Sequence, residues 1–367
     1  MSAEATPLER KLIERISRDG PLTFRDFMEA ALYDAEFGYY HTERLKIGAA
    51  GDFTTSSNVH PAFGATLARA FAELWREAFD GEPLTLAEMG AGTGQLAADL
   101  LAALRDEHAP LFSSARYLIV ETSPAMQKRQ RERLADFGER VAWRTLDDLE
   151  RRPLTAIFFS NELVDALPVH RARWKGKGVQ EQFVVLAGGR LALAWAAPSK
   201  PELFGYAEQL GVRLRENQVI EVNLDALGWL AGVSRALRRG FLVTMDYGDL
   251  AALLYAPDRA QGTLRSFYRH RLLDSPLERV GEQDITASVN FTALIEGGRE
   301  FGLETLRYER QTAFLLRHGL IERIAATHRA VETLADVKAR LAIKNLFVPG
   351  GASDNFRVLV QKKLAEV

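Results

Sequence analysis

The 367-residue sequence contains no cysteine. Disulfide frameworks, thiolate metal sites and cysteine nucleophiles are therefore excluded. It also lacks an excess of either charge, with 47 basic and 49 acidic side chains giving a formal net charge of −2. Bulk attraction to a polyanion is excluded with it, so recognition by charge has to be local. No apolar run reaches the roughly 18 residues needed to span a bilayer, and no repeat or low-complexity segment is present. Met1–Thr6 lacks the basic flank and apolar centre of a signal peptide, so a cytoplasmic location is expected. The histidines show no metal-ligand spacing, and there is no Ser-His-Asp signature. What is present is ordinary for a folded soluble chain: 47% hydrophobic and 26% charged residues. The length exceeds the roughly 250 residues usual for one core. Two domains, or one with insertions, are predicted.

Helix punctuation opens the chain. Thr6, Pro7 and Glu9 form an N-cap, a first-turn proline and a capping-box acid, with Leu8, Leu12, Ile13 and Ile16 on one face until Asp19-Gly20-Pro21. Thr23 and Asp26 repeat the pattern, so the N-terminus reads as helical, without a strand. A long polar loop from Gly48 to Pro61 precedes another helix carrying Phe63, Leu67, Ala70, Phe71 and Leu74. From Leu84 strands and helices alternate. Strands are expected at Leu84–Met89, Tyr117–Glu121, Ala156–Ser160 and Gly240–Asp246, with helices at Gln95–Leu104 and Pro124–Ala135 and another running to Arg239. That order predicts an α/β fold with a mainly parallel sheet. Residues 170–222 interrupt it with a hairpin, Gln182–Leu186 and Leu191–Trp195 around Gly188-Gly189. Residues 248–290 form a second, weakly periodic insertion. The C-terminus returns to helices and ends in a strand, Phe356–Gln361.

Between the first strand and its helix lies Glu88-Met89-Gly90-Ala91-Gly92-Thr93-Gly94. Glycines at a strand-to-helix turn let a ligand lie against the main chain. A dinucleotide fingerprint would need a glycine at position 95, where Gln95 stands. Glycines at alternate positions, with an acid two residues before the first, instead resemble motif I of class I S-adenosylmethionine (SAM) methyltransferases. The electrostatics agree. Glu88 would repel a pyrophosphate but suits the ammonium and sulfonium of SAM. Glu121, followed by Thr122, ends the next strand, where a carboxylate can accept from both ribose hydroxyls. Asp147 and Asp148 follow the third strand; either could accept from the adenine amino group, or one could cap the next helix.

In open α/β sheets ligands lie at the carboxyl ends of the strands. The fourth strand ends in Ser160-Asn161-Glu162-Leu163-Val164-Asp165. Asn161 is a candidate to hold cofactor or acceptor, and Glu162 and Asp165 to bind a cationic acceptor and orient its lone pair. For arginine, with a pKa above about 12, a carboxylate pair would align the guanidinium and accept the departing proton. The simpler alternative is a turn cap for Asp165 and a solvated charge for Glu162. His270 is a further candidate proton acceptor. The basic run His170–Lys177 reads as a solvated hairpin edge, not a nucleic-acid surface.

Several separate segments resemble one family, the MidA-like SAM-dependent methyltransferases, relatives of a mitochondrial complex I assembly arginine methyltransferase. They are Phe27–Asp34 with Gly38-Tyr39-Tyr40, Gly51-Asp52-Phe53, Glu88–Gly94, Asn161-Glu162 with Asp165–Pro168, Asp246-Tyr247-Gly248, Gly262–Arg265 with His270, and Asp284–Ala287. The resemblance implies a class I SAM methyltransferase, Rossmann-like sheet with a helical N-terminal cap and inserted segments. Residues 1–80 would form the cap and a cofactor-closing loop, and residues 81–367 the core. It implies that Gly51, Asp52, Phe53 and Thr55 close over SAM, joining Glu88, Gly90, Gly92, Thr93, Gly94, Glu121, Thr122 and Asp147. A protein substrate, among them a respiratory-complex subunit, and a second copy of the chain in a homodimer are the expected partners. A small-molecule methyltransferase and a SAM-binding assembly factor are the alternatives. The chain departs from the family's usual residues at Ala91, at Thr55-Ser56-Ser57-Asn58 and at Gln261. The loop and Gln261 are positions expected to face the acceptor.

Overall fold

Short β-branched and aromatic runs, each followed by a helix, build the sheet that positions the glycine turn. The computed structural model describes residues 5–42, 60–79, 81–269, 271–326, 341 and 355–364. The chain divides into two compact units, one of residues 1–53, 164–229 and 248–294, the other of residues 54–163, 230–247 and 295–367.

The second unit holds the main sheet. Its strands run in the order Glu304–Arg310, Phe356–Lys363, Leu237–Asp249, Leu154–Asn161, Thr85–Met89, Arg116–Val120 and Val141–Trp143. The pairs from Leu237–Asp249 through Val141–Trp143 are parallel, and the two outer pairs are antiparallel. Parallel strands are buried on both faces, which explains near-continuous apolar runs such as Ala156-Ile157-Phe158-Phe159. Helix Ala62–Phe79, grouped by sequence with the N-terminal cap, contributes Phe63, Leu67, Phe71 and Trp75 to this core. The Phe71 ring lies 4.9 Å from that of Phe159, with helix Gln95–Glu107 adding Leu96, Leu100 and Leu104.

Gly240 sits in the middle of the sheet at φ +136, and a Cβ there would lie 2.0 Å from the Ala156 carbonyl oxygen. Gly240→Ala should therefore cost about 2–4 kcal/mol, read as a lower denaturation midpoint. An unchanged midpoint would show that the strand can yield.

The first unit is largely antiparallel. Gly178–Ala187 pairs with Arg190–Ala196, as the hairpin reading expected, and with His170–Lys175, which in turn pairs Val219–Val222. A second small sheet joins Arg265–Tyr268 to Arg271–Leu272 and to Asp284–Thr286. Helices Pro7–Asp19 and Phe24–Tyr33 start where the caps predicted, Thr6 and Thr23 accepting from the N–H groups of Glu9 and Asp26. Their apolar faces pack with Val169, Val184, Val280 and Ile285.

Three expectations change. The N-terminal region does contain a strand, Leu22–Thr23, paired with Phe183 and Val184, because the Gly20-Pro21 stop leaves two extended residues with Leu22 buried. The helix expected to reach Arg239 ends at Ala236, and the strand begins at Leu237 with a bulge before Arg239. Glu304–Arg310, expected among helices, is an edge strand.

Candidate active site

Strand Thr85–Met89 delivers the glycine turn to the carboxyl end of the sheet. Gly90, Gly92 and Gly94 take φ values of 72°, 51° and 75°, a left-handed run that side chains resist. The Gly90 N–H donates to the Val120 carbonyl (2.9 Å) and the Gly94 N–H to the Ala91 carbonyl (2.8 Å), which fixes the loop against the neighbouring strand. Gly94 is the N-cap of helix Gln95–Glu107 and carries no side chain to cover the first turn.

Glu88 is 2% exposed and accepts a hydrogen bond from the Tyr117 hydroxyl at 2.6 Å. Burial pushes its carboxyl up to about 7; the Tyr117 hydrogen bond opposes that rise, and the charge of Glu121 adds to it. Glu121 is held in turn. Its Oε1 accepts from the Ser123 N–H (2.9 Å) and its Oε2 from the Gln130 amide (3.1 Å). Two neighbouring carboxylates, one buried, are poorly matched to an anion and well matched to a ligand carrying positive charge. Thr93 in the same turn is half-buried, and Thr122 is exposed. Of the two candidate adenine acids, Asp148 closes a capping box with Thr145 on helix Leu146–Arg151, whereas Asp147 lies exposed in that helix's first turn.

At the end of Leu154–Asn161 the chain turns sharply. Glu162 adopts φ 55, which costs strain in a non-glycine residue, and its N–H donates to the Met245 carbonyl at 2.9 Å. Asn161 donates from Nδ2 to the Glu162 carboxylate at 3.2 Å, while its buried Oδ1 has no hydrogen-bond partner among the described residues. The turn is pinned by a residue to which the sequence reading assigned no role in the site. Asp246, fully buried, accepts from the N–H groups of Leu163 (3.2 Å) and Tyr247 (2.8 Å). Its signal was an acid closing an apolar strand.

Asp165 belongs to the first unit, in the turn Val164–Ala166, and is 5% exposed. Its carbonyl accepts from the Ala287 N–H. Its charge and that of Asp284 act on the Tyr40 phenol, which donates to Asp284 at 2.8 Å and whose pKa is raised first by burial. Gly51, Asp52, Phe53, Thr55 and His270 lie outside the described residues.

Residues 66–309 match the model of a family of S-adenosyl-L-methionine-dependent methyltransferases. The chain belongs to that family. The fold agrees: a crystal structure of a Burkholderia thailandensis protein bound to S-adenosyl-homocysteine superposes with a TM-score of 0.86 at 31% identity, covering 97% of this chain and 92% of that one. A native structure from the same organism gives 0.84 at 30% identity, over 97% and 91%. The mitochondrial protein arginine methyltransferase NDUFAF7 of Mus musculus is 29% identical over 321 residues, 80% of this chain and 70% of the relative. Its Drosophila melanogaster homolog is 25% identical over 368 residues, 90% and 81%. The protein is thus a methyltransferase of the class I, Rossmann-like type, with SAM as cofactor. Among the described residues no helix is long and apolar enough to cross a membrane.

Proposed function

We propose that this methyltransferase modifies the guanidinium of an arginine side chain in a protein. The reading rests on the relatives named protein arginine methyltransferases and on one local observation. Glu162 is held in a strained conformation at the carboxyl end of the strand next to the glycine turn, and strain of that kind gathers where a side chain must be aimed.

SAM supplies a methyl group on a sulfonium. A guanidinium nitrogen forms the new N–C bond as the C–S bond breaks, S-adenosylhomocysteine leaves, and the product nitrogen gives up a proton. The chain's part is positioning and electrostatics. Gly90 to Gly94, Glu88, Glu121 and Asp147 would hold the cofactor. Glu162 would align the guanidinium by charge-assisted hydrogen bonds and take its proton, with Asp165 the second candidate for that role. Asn161 would steady Glu162.

Glu162→Gln and Asp165→Asn, each assayed alone, should lower kcat about a hundredfold or more while S-adenosylhomocysteine affinity stays within about threefold. Methylarginine proteomics with and without the protein supplies the acceptor for that assay. If no arginine methylation depends on the protein, the arginine reading fails; if both variants retain full kcat, the carboxylate mechanism fails. The cytoplasm expected from the sequence contrasts with relatives named mitochondrial, and cell fractionation decides between them.

A further inference from the structure

Gln130 lies on helix Pro124–Arg133, which has little amphipathic character, yet it is fully buried. Its amide Nε2 donates to the Gly92 carbonyl at 2.9 Å and to the Glu121 carboxylate at 3.1 Å. Its Oε1 accepts from the Trp143 indole N–H at 2.9 Å. A Cβ at Gly94 would lie 3.3 Å from the Gln130 Cγ, so the side chain packs directly over the glycine turn. One amide therefore joins the ends of three consecutive strands: the turn after Thr85–Met89, the acid after Arg116–Val120 and the last residue of Val141–Trp143.

The geometry points to Gln130 as a positioning residue that sets the spacing between the Gly92 backbone and the Glu121 carboxylate, and so the affinity for the adenosyl cofactor. A merely space-filling residue needs no donor here. A carboxylate and a carbonyl oxygen repel each other, and a primary amide with both N–H bonds directed at them holds them together while keeping its own acceptor for Trp143. The inference rests on the proposed placing of the cofactor at the Gly90–Gly94 turn.

The test is calorimetry of the full chain with S-adenosylhomocysteine, near pH 8 and near pH 5.5. Gln130→Glu keeps the shape and the Trp143 acceptor but replaces both donations by repulsion. It should bind about tenfold or more weaker than the parent near pH 8. Near pH 5.5 the new carboxyl, raised by its acidic neighbour, regains a proton and one donation, so the ratio to the parent should shrink to about threefold. Gln130→Met should be about tenfold weaker at both pH values. Loss of fold alone would not reverse with pH. If Gln130→Glu does not fold, a double-mutant cycle of Gln130→Met with Glu121→Ala replaces it. The Gln130→Met penalty should then fall to about threefold or less once Glu121 is gone. Parent-like affinity in the folded Gln130 variants, a ratio unchanged by pH, or additive penalties would each overturn the inference. Should Glu121→Ala alone also bind like the parent, the placing of the cofactor fails with it; a weakened Glu121→Ala beside parent-like Gln130 variants sinks only the role of Gln130.

Discussion

Gly92→Val should reduce S-adenosylhomocysteine affinity at least about a hundredfold while leaving the protein folded. Gly92 has φ 51, a conformation that a β-branched residue reaches only with severe strain. Its carbonyl is also committed, accepting from Gln130 at 2.9 Å. Valine must therefore either hold the strained turn or let it flip. Holding it puts two methyl groups where a ligand would meet bare backbone. Flipping it withdraws the carbonyl from Gln130 and moves Gly94 at the helix start. Both routes disable binding, and neither touches the core between helix Ala62–Phe79 and the sheet, which rests on Phe63, Phe71 and Phe159. Thermal unfolding should therefore stay cooperative, with a midpoint lower by a few degrees. Gly92→Ala, with the strain but a single methyl, should fall between parent and valine. Calorimetry orders the three; valine binding within about threefold of the parent would remove the turn from the cofactor site.

The parts of the molecule set by short-range rules were legible in the sequence. Thr6 and Thr23 cap their helices because each lies three residues before the backbone donor it satisfies. The glycine turn is visible because local spacing alone makes a strand-to-helix corner. The hairpin around Gly188-Gly189 is equally local. What was missed depends on partners distant in sequence. Glu304–Arg310 alternates no apolar face and is mostly exposed; it is a strand because its backbone meets Phe356–Lys363. Leu22–Thr23 is too short to show a period of two. Asp246 reads as an ordinary strand-end acid until its carboxylate is seen on the Leu163 N–H, 83 residues away. Gln130 is likewise one polar residue in a highly charged helix, and its contact with Gly92 spans 38 residues. Side-chain hydrogen bonds of this kind act across the sheet, and no periodicity encodes that.

Glu88→Gln should stabilise the cofactor-free protein near pH 8 and weaken its hold on the cofactor. The Glu88 carboxyl is buried, its pKa lifted by that burial to about 7, with the charge of Glu121 adding to the Tyr117-opposed rise. In an unfolded chain it would titrate near 4.5. Below about pH 4.5 it is protonated in both states and costs nothing. Between about 4.5 and 7 the unfolded chain has released its proton and the folded one has not, so stability falls as pH rises. Above about 7 the full cost is present, at most about 3.5 kcal/mol, because each tenfold gain in proton affinity is worth about 1.4 kcal/mol. Glutamine keeps an acceptor for the Tyr117 hydroxyl and carries no charge. The denaturation midpoint of Glu88→Gln should therefore exceed the parent's near pH 8 and converge with it near pH 4. Binding should move the opposite way. A cationic ligand favours the ionised carboxylate, so parent affinity for SAM should climb as pH rises through about 7, releasing a proton on binding. Glu88→Gln should lose both that climb and the proton release, with affinity near pH 8 lower by about tenfold. Calorimetry in two buffers of different ionisation enthalpy measures the proton directly. A parent that binds without proton release near pH 7, or a glutamine variant no more stable near pH 8, would mean that the Glu88 carboxyl is not raised in the free protein and that the repulsion between the two carboxylates is met by something other than the cofactor.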